Sequence, residues 1–137
     1  IAASLDELRD LARGIYPAVL TGHGLGVALE SLTARAPVPV DLQLHDIGRM
    51  REAVEVAAYY VVSECLANIG KHARATSATV AVRIVDGELV VAVTDDGVGG
   101  VTGGLRKLAD RVEALGGRLD ISSPAGAGTR VETRTPL

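Results

Sequence analysis

Phenylalanine and tryptophan are missing from this chain of 137 residues, and tyrosine occurs only three times. The core must be assembled from Ala, Val, Leu and Ile, and the composition disfavours binding of nucleic acid by base stacking on aromatic side chains. Basic charge is not in excess either: 14 Lys and Arg stand against 17 Asp and Glu, a formal net charge of -3. No general basic field draws nucleic acid or an anionic membrane surface, so an anion must be held by local groups. With a single cysteine no internal disulfide can form, and Cys65, set in an apolar stretch, reads as a small buried hydrophobe in a reducing, cytoplasmic setting. Long hydrophobic runs are absent as well. The longest, VAAYYVVS, is far short of the about 20 residues that span a bilayer, and no signal-peptide pattern opens the chain.

What is present reads as one domain with a remnant in front of it. IAASLDELRDLARGIYPAVL begins in mid-helix, with Leu5, Leu8, Leu11 and Ala12 at helical spacing and no cap before them. It is expected to be the end of a longer helix, stopped by Gly14 and Pro17, with TGHG as a turn that places His23 in it. LGVALESLTARA predicts a short amphipathic helix ended by Pro37, VPVDLQL a strand, and residues 51 to about 72 a long helix. TSATVAVRIVD and ELVVAVTD predict two strands of a hairpin turning at Asp86-Gly87. The loop DDGVGGVTGG leads into a helix LRKLADRVEAL, and GRLDISS with GTRVETRTP predicts a second hairpin around PAGA. The expected fold is an α/β two-layer sandwich, a mixed and mostly antiparallel sheet packed under three helices.

Three segments carry polar chemistry. The apolar run EVAAYYVVS is followed by ECLANIGKHA, which gathers a carboxylate, a carboxamide, an amine and an imidazole. At about 100° per residue, with Glu64 at zero, Asn68 falls near +40°, Lys71 near -20° and His72 near +80°, one arc of about 100°. Such a stripe can be a solvated helix face. Its confinement to the last two turns argues instead for a site: a carboxylate and an amide oxygen suit Mg²⁺ or its waters, and an ammonium and an imidazole suit phosphate oxygens. TDDGVGG lies at a strand end and AGAGT, residues 125 to 129, lies between strands; each alone reads as a turn. A Rossmann fingerprint fails because Thr102 stands where a third glycine is needed, and a Walker loop fails because Gly70-Lys71 is followed by His72.

In this order the three segments resemble the nucleotide-binding boxes of the GHKL superfamily, and nearly the whole chain resembles the catalytic ATP-binding domain of sensor histidine kinases that partner NarL-type response regulators. ECLANIGKHA is similar to the N box, DDGVG to the G1 box, GGLRKLADRVEALGGRL to the G2 region with its helix, and SSPAGAGTRVETRTPL to the closing hairpin. LARGIYPAVLTGHGLGVALESL resembles the end of the second dimerisation helix and its junction, so residues 1–22 are expected to be that junction and 23–137 the catalytic domain. The resemblance implies the Bergerat fold, ATP and Mg²⁺ as ligands, and transfer of the γ-phosphate to a histidine on a dimerisation domain. It implies that Asp95 accepts a hydrogen bond from the adenine amino group, with Gly97 and Gly99 letting the backbone pass close to the base and Thr129 beside the pocket. It also implies that Asn68 coordinates Mg²⁺, that Glu64 orients it or a metal-bound water, and that Lys71 and His72 contact phosphate or ribose. Gly104-Leu105 would present a helix N-terminus to the phosphates.

The sequence departs from the family at Gly70, which costs the helix about 1 kcal/mol relative to Ala and loosens its last turn. It departs again at Lys107, where a glycine is usual, and in the short stretch between Gly99 and Gly104. His45-Asp46 is similar to a phosphoacceptor dipeptide, but it follows a strand and comes after the dimerisation remnant, so a strand-end loop is expected there. The acceptor histidine is therefore expected outside this chain, which would be monomeric and unable to phosphorylate itself, cut from a homodimeric parent, anchored in the cell membrane or free of it, with a response regulator as downstream partner and no nucleic acid. Two rival readings stand beside it: an anti-sigma-type serine kinase of the same superfamily, and a nucleotide-sensing module without chemistry.

Overall fold

The structure, a computed structural model, describes residues 18–100 and 105–137; the expected dimerisation-helix end up to residue 17 and the segment 101–104 lie outside the described residues. The chain runs α1 (Ala18–His23), α2 (Leu25–Ala34), β1 (Val40–His45), α3 (Glu52–Asn68), a π turn (Ile69–Ala73), β2 (Ala78–Val85), β3 (Glu88–Asp95), α4 (Arg106–Glu113), β4 (Arg118–Ser122) and β5 (Thr129–Pro136). The strands form one sheet in the order β1-β2-β3-β5-β4. β1 runs parallel to β2 and every other pair is antiparallel. A parallel pair needs a crossover, and α3 with the π turn supplies it, so the polar stripe of ECLANIGKHA is carried across the sheet face.

Alternation fixes which face is covered. Val80, Val82, Leu89, Val91, Val93 and Val131 are buried against the helices with Leu25, Leu29, Val54, Val61, Val62 and Leu108. On the other face Val90 lies between Arg83 and Arg134 in the register, and Ala92 between Ala81 and Glu132. Val90 and Ala92 are nonetheless buried. α3 is buried on most of its circumference, as a helix wedged between a sheet and two neighbouring helices must be. Arg111 of α4 stacks over the Tyr60 ring of α3, 3.9 Å from its centroid.

The turn at Asp86-Gly87 is as expected: both residues have positive φ, 52° and 76°, the type I′ geometry that matches strand twist. The expected turn at TGHG is replaced by helix. Thr21, Gly22 and His23 complete α1, and the break falls on Gly24 alone, at φ 88°, whose amide closes on the Leu20 carbonyl at 3.0 Å. A side chain at Gly24 would also meet Arg49, 2.7 Å from its Cδ. That arginine donates to the buried carboxylate of Glu55 at 3.2 Å and to the Thr21 carbonyl at 3.3 Å. The latch holds α1, whose Leu20 is in the core, against α3, which carries Glu64 and Asn68. His45 ends β1, exposed, and Asp46 follows with φ 48°. No helix among the described residues is long and apolar enough to cross a membrane.

Candidate functional site

Three pieces of backbone meet at one end of the sheet: the end of α3, the end of β3, and the loop between β4 and β5. Asp95 is the last residue of β3 and is only 8% exposed, paired across the sheet with Ala78 of β2 on one side and Thr129 of β5 on the other. Its Oδ1 accepts the Gly97 amide at 2.8 Å, which fixes the carboxylate at the strand end. Cys65, one helix position beyond Glu64, is buried. Its thiol is pushed up to about 12, first by burial and then by the negative charges of Glu64 and Asp95, so both carboxylates lie near it.

Glu64 and Asn68 are half-buried and sit one turn apart on α3, as the α-helical period requires. Beyond Asn68 that period no longer holds. Ile69–Ala73 form a π turn, whose i→i+5 bonding advances the chain by a smaller angle per residue, so Lys71 is not where a straight α-helix would put it. Lys71 is exposed, and only the backbone of His72 is described. Gly70 has a steric reason: a Cβ there would lie 2.8 Å from Cγ of Pro37, in the connection from α2 to β1. Arg74 ends the turn in the left-handed region, at φ 51°.

The loop after β3 is locked onto the β4–β5 loop. The Gly100 amide donates to the Ser123 carbonyl at 2.8 Å and the Gly126 amide to the Val98 carbonyl at 2.6 Å. Gly99 has φ 66°, and a Cβ on it would lie 2.2 Å from the Pro124 carbonyl oxygen. Gly128 is the reciprocal case, with φ 75° and a would-be Cβ 2.2 Å from the carbonyl oxygen of Asp95. Gly99 is thus required by hairpin packing, while Gly97, buried, is the donor to Asp95. The Thr129 hydroxyl shares a 2.6 Å hydrogen bond with that of Ser123. Leu105 precedes α4 with its side chain in the core, Lys107 is exposed in the first turn, and Gly104 lies outside the described residues.

Sequence reading passed over Asp96, Ser123 and Gly128. Asp96 accepts the Thr76 amide at 2.8 Å, the Ser77 amide at 3.1 Å and both hydroxyls, the Ser77 one at 3.2 Å. These bonds, the Thr76 hydroxyl's first, lower its carboxyl to about 2. A second carboxylate in DDG and two hydroxyl residues before a strand were the available signal.

No three His, Cys, Asp or Glu side chains cluster as a metal cage among the described residues. The donor set at the end of α3, one carboxylate and one amide oxygen, fits a cation that takes few protein ligands and completes its shell with phosphate and water, as Mg²⁺ does. An open groove lined by Glu30, Thr33, Ala34, Val40, Leu42 and Leu44 lies between α2 and β1 and includes none of these residues.

No family model matches the chain. Among curated proteins it is 27% identical to the sensor histidine kinase LiaS of Bacillus subtilis over 96% of this chain and 39% of that protein. It is 33% identical to the sensor histidine kinase NarS of Mycobacterium tuberculosis over 96% of this chain and 34% of that one. The chain thus spans between a third and two fifths of these relatives. Among solved structures, the histidine kinase domain of an Erythrobacter litoralis blue-light activated histidine kinase superposes with a TM-score of 0.69 at 27% identity, over 85% of this chain and 60% of that one. The histidine kinase AdeS of Acinetobacter baumannii shares the fold, with a TM-score of 0.59 at 13% identity over 97% of this chain and 76% of that one. The architecture is an α/β fold similar to histidine kinase ATP-binding domains.

Proposed function

We propose that this chain, homologous to the catalytic region of sensor histidine kinases, binds Mg-ATP and transfers its γ-phosphate to a histidine on a dimerisation domain of the parent protein. The observation that carries the reading is a buried carboxylate, Asp95, fixed at a strand end beside a helix end that presents Glu64 and Asn68.

Asp95 accepts from the adenine amino group, and Thr129, opposite it in the register, lines the base pocket. Gly97 holds the carboxylate, and Gly99 lets its loop lie flat on the neighbouring hairpin. Asn68 would hold Mg²⁺ through its amide oxygen and Glu64 would orient Asn68 or a water on the metal, while Lys71 and His72 would meet phosphate oxygens or the ribose. Gly104 and Leu105, ahead of α4, offer backbone amides to the phosphates. Bound there, Mg²⁺ would supply charge neutralisation for the phosphoryl group, and the chain's own work is positioning. The parent is a homodimer signalling to a NarL-type response regulator, a subclass assignment that rests on the box pattern and on relatives such as NarS; its catalytic region lies in the cytoplasm. Residues 1–22 form the junction to the dimerisation helix.

The test is phosphotransfer between separated parts. With labelled ATP and magnesium the isolated chain should stay unlabelled, because in-line attack needs an acceptor nitrogen held about 3 to 3.5 Å from the phosphorus, and His45 pairs with Arg83 at the end of the sheet opposite Asp95. Adding the parent's dimerisation domain should yield acid-labile label on that domain, slowly, since the covalent link that raises effective concentration is gone. Label on the isolated chain that disappears in His45→Ala would sink this reading, as would acid-stable label on a serine.

A further inference from the structure

The residue before Gly97 joins the two halves of the site. Asp95 belongs to the base half, at the end of β3; Asn68 and Lys71 belong to the phosphate half, at the end of α3 and in the π turn. Between the π turn and β2 the chain passes through left-handed Arg74 and then Thr76 and Ser77. The Asp96 side chain holds both of these residues by amide and hydroxyl, four hydrogen bonds to one carboxylate. Its own amide reaches back to the Ser77 carbonyl at 3.4 Å. The cross-link spans 20 residues of sequence and is exposed, so it is not a core contact.

We propose that Asp96 is a positioning residue for Mg-ATP: by clamping Thr76 and Ser77 it sets the span between the adenine-recognising carboxylate of Asp95 and the phosphate-binding end of α3. The inference rests on the function proposed above and adds a residue that touches neither base nor phosphate. A ligand that fills only the base half is indifferent to the span, whereas one that must reach both halves is not. With its carboxyl held near 2, Asp96 is ionised throughout the pH range of any binding experiment.

The experiment is calorimetric titration of the whole chain with adenosine and with Mg-ATP, alongside amide hydrogen exchange at Thr76 and Ser77. In Asp96→Ala, adenosine should bind as in the wild type while Mg-ATP weakens about tenfold, a shift the size of one misplaced charge-assisted contact. Both amides should lose protection. Asp96→Asn keeps an acceptor for the two amides and a polar partner for the two hydroxyls, so it should restore most of the Mg-ATP affinity. If Asp96→Ala folds poorly, Thr76→Ala combined with Ser77→Ala removes the hydroxyl partners and should lower the same affinity ratio. An unchanged ratio in the alanine variants, or equal loss of both ligands, overturns the clamp while leaving the function intact. A wild-type chain that binds neither ligand removes the reading beneath it and the clamp with it.

Discussion

Asp95 has one oxygen committed to the Gly97 amide, and this makes the effect of a conservative change predictable. In Asp95→Asn the amide oxygen must take the position facing Gly97, because the alternative sets two donors against each other. On the proposed function, the NH₂ group is then left facing the adenine amino group, donor to donor. Loss of a hydrogen bond to a charged acceptor costs about 1.5 to 3 kcal/mol, or roughly 10- to 150-fold in Kd. Calorimetric titration with Mg-ATP measures it, and an unchanged affinity would remove Asp95 from base recognition. The carboxylate was legible in TDDGVGG, where the resemblance singles out Asp95; the physical reason that Asp95 and not Asp96 faces inward was not. That is decided by strand alternation running to the end of β3, where Asp95 falls on the core side and Asp96 turns out to Thr76 and Ser77.

The two glycine-rich loops make a single interlocked unit, and their glycines are not equivalent. Gly126 and Gly128 share the β4–β5 loop and both have positive φ, 82° and 75°. Nothing lies within 4 Å of a Cβ on Gly126, whereas one on Gly128 would lie 2.2 Å from backbone oxygen of Asp95. Gly126→Ala should therefore cost only the left-handed penalty, about 1 to 2 kcal/mol. Gly128→Ala adds a clash that neither backbone can avoid and should cost roughly 3 kcal/mol or more, with weaker nucleotide binding because Asp95 is displaced. Urea denaturation of both variants checks this, and equal costs would show that the loops are not locked. AGAGT is legible as a turn, yet its contact with DDGVG is tertiary and leaves no periodic trace. The π turn is hidden for a similar reason: a 3.6-residue period assumes a uniform helix, while Gly70 has to pass under Pro37. TGHG misleads because only one of its glycines, Gly24, leaves the helical region of φ. Elements with a strictly local cause are the ones sequence finds. Asp86-Gly87 is of this kind, and so is the alternation of β2 and β5.

The molecule as a whole is closed by residues far apart in the chain: the candidate site draws on Glu64 at one extreme and Thr129 at the other, and α3 reaches it as the crossover between two parallel strands. Cys65 lies on that crossover, buried, the only thiol present, with its pKa near 12. At pH 8 about one such thiol in four is ionised in an unfolded chain, and burial keeps the folded chain's thiol far below that. Modification by a maleimide or aromatic disulfide under native conditions should then proceed through opening of the fold, and Mg-ATP at about 100 times its Kd should slow it about 100-fold by binding only the closed form. Fast labelling of the folded chain, or a rate indifferent to nucleotide, would contradict that. The same burial turns a chemically inert sulfur into a built-in clock: the pace at which a reagent finds Cys65 counts how often the sheet and its crossover helix part, and no dye or engineered probe is needed to read it.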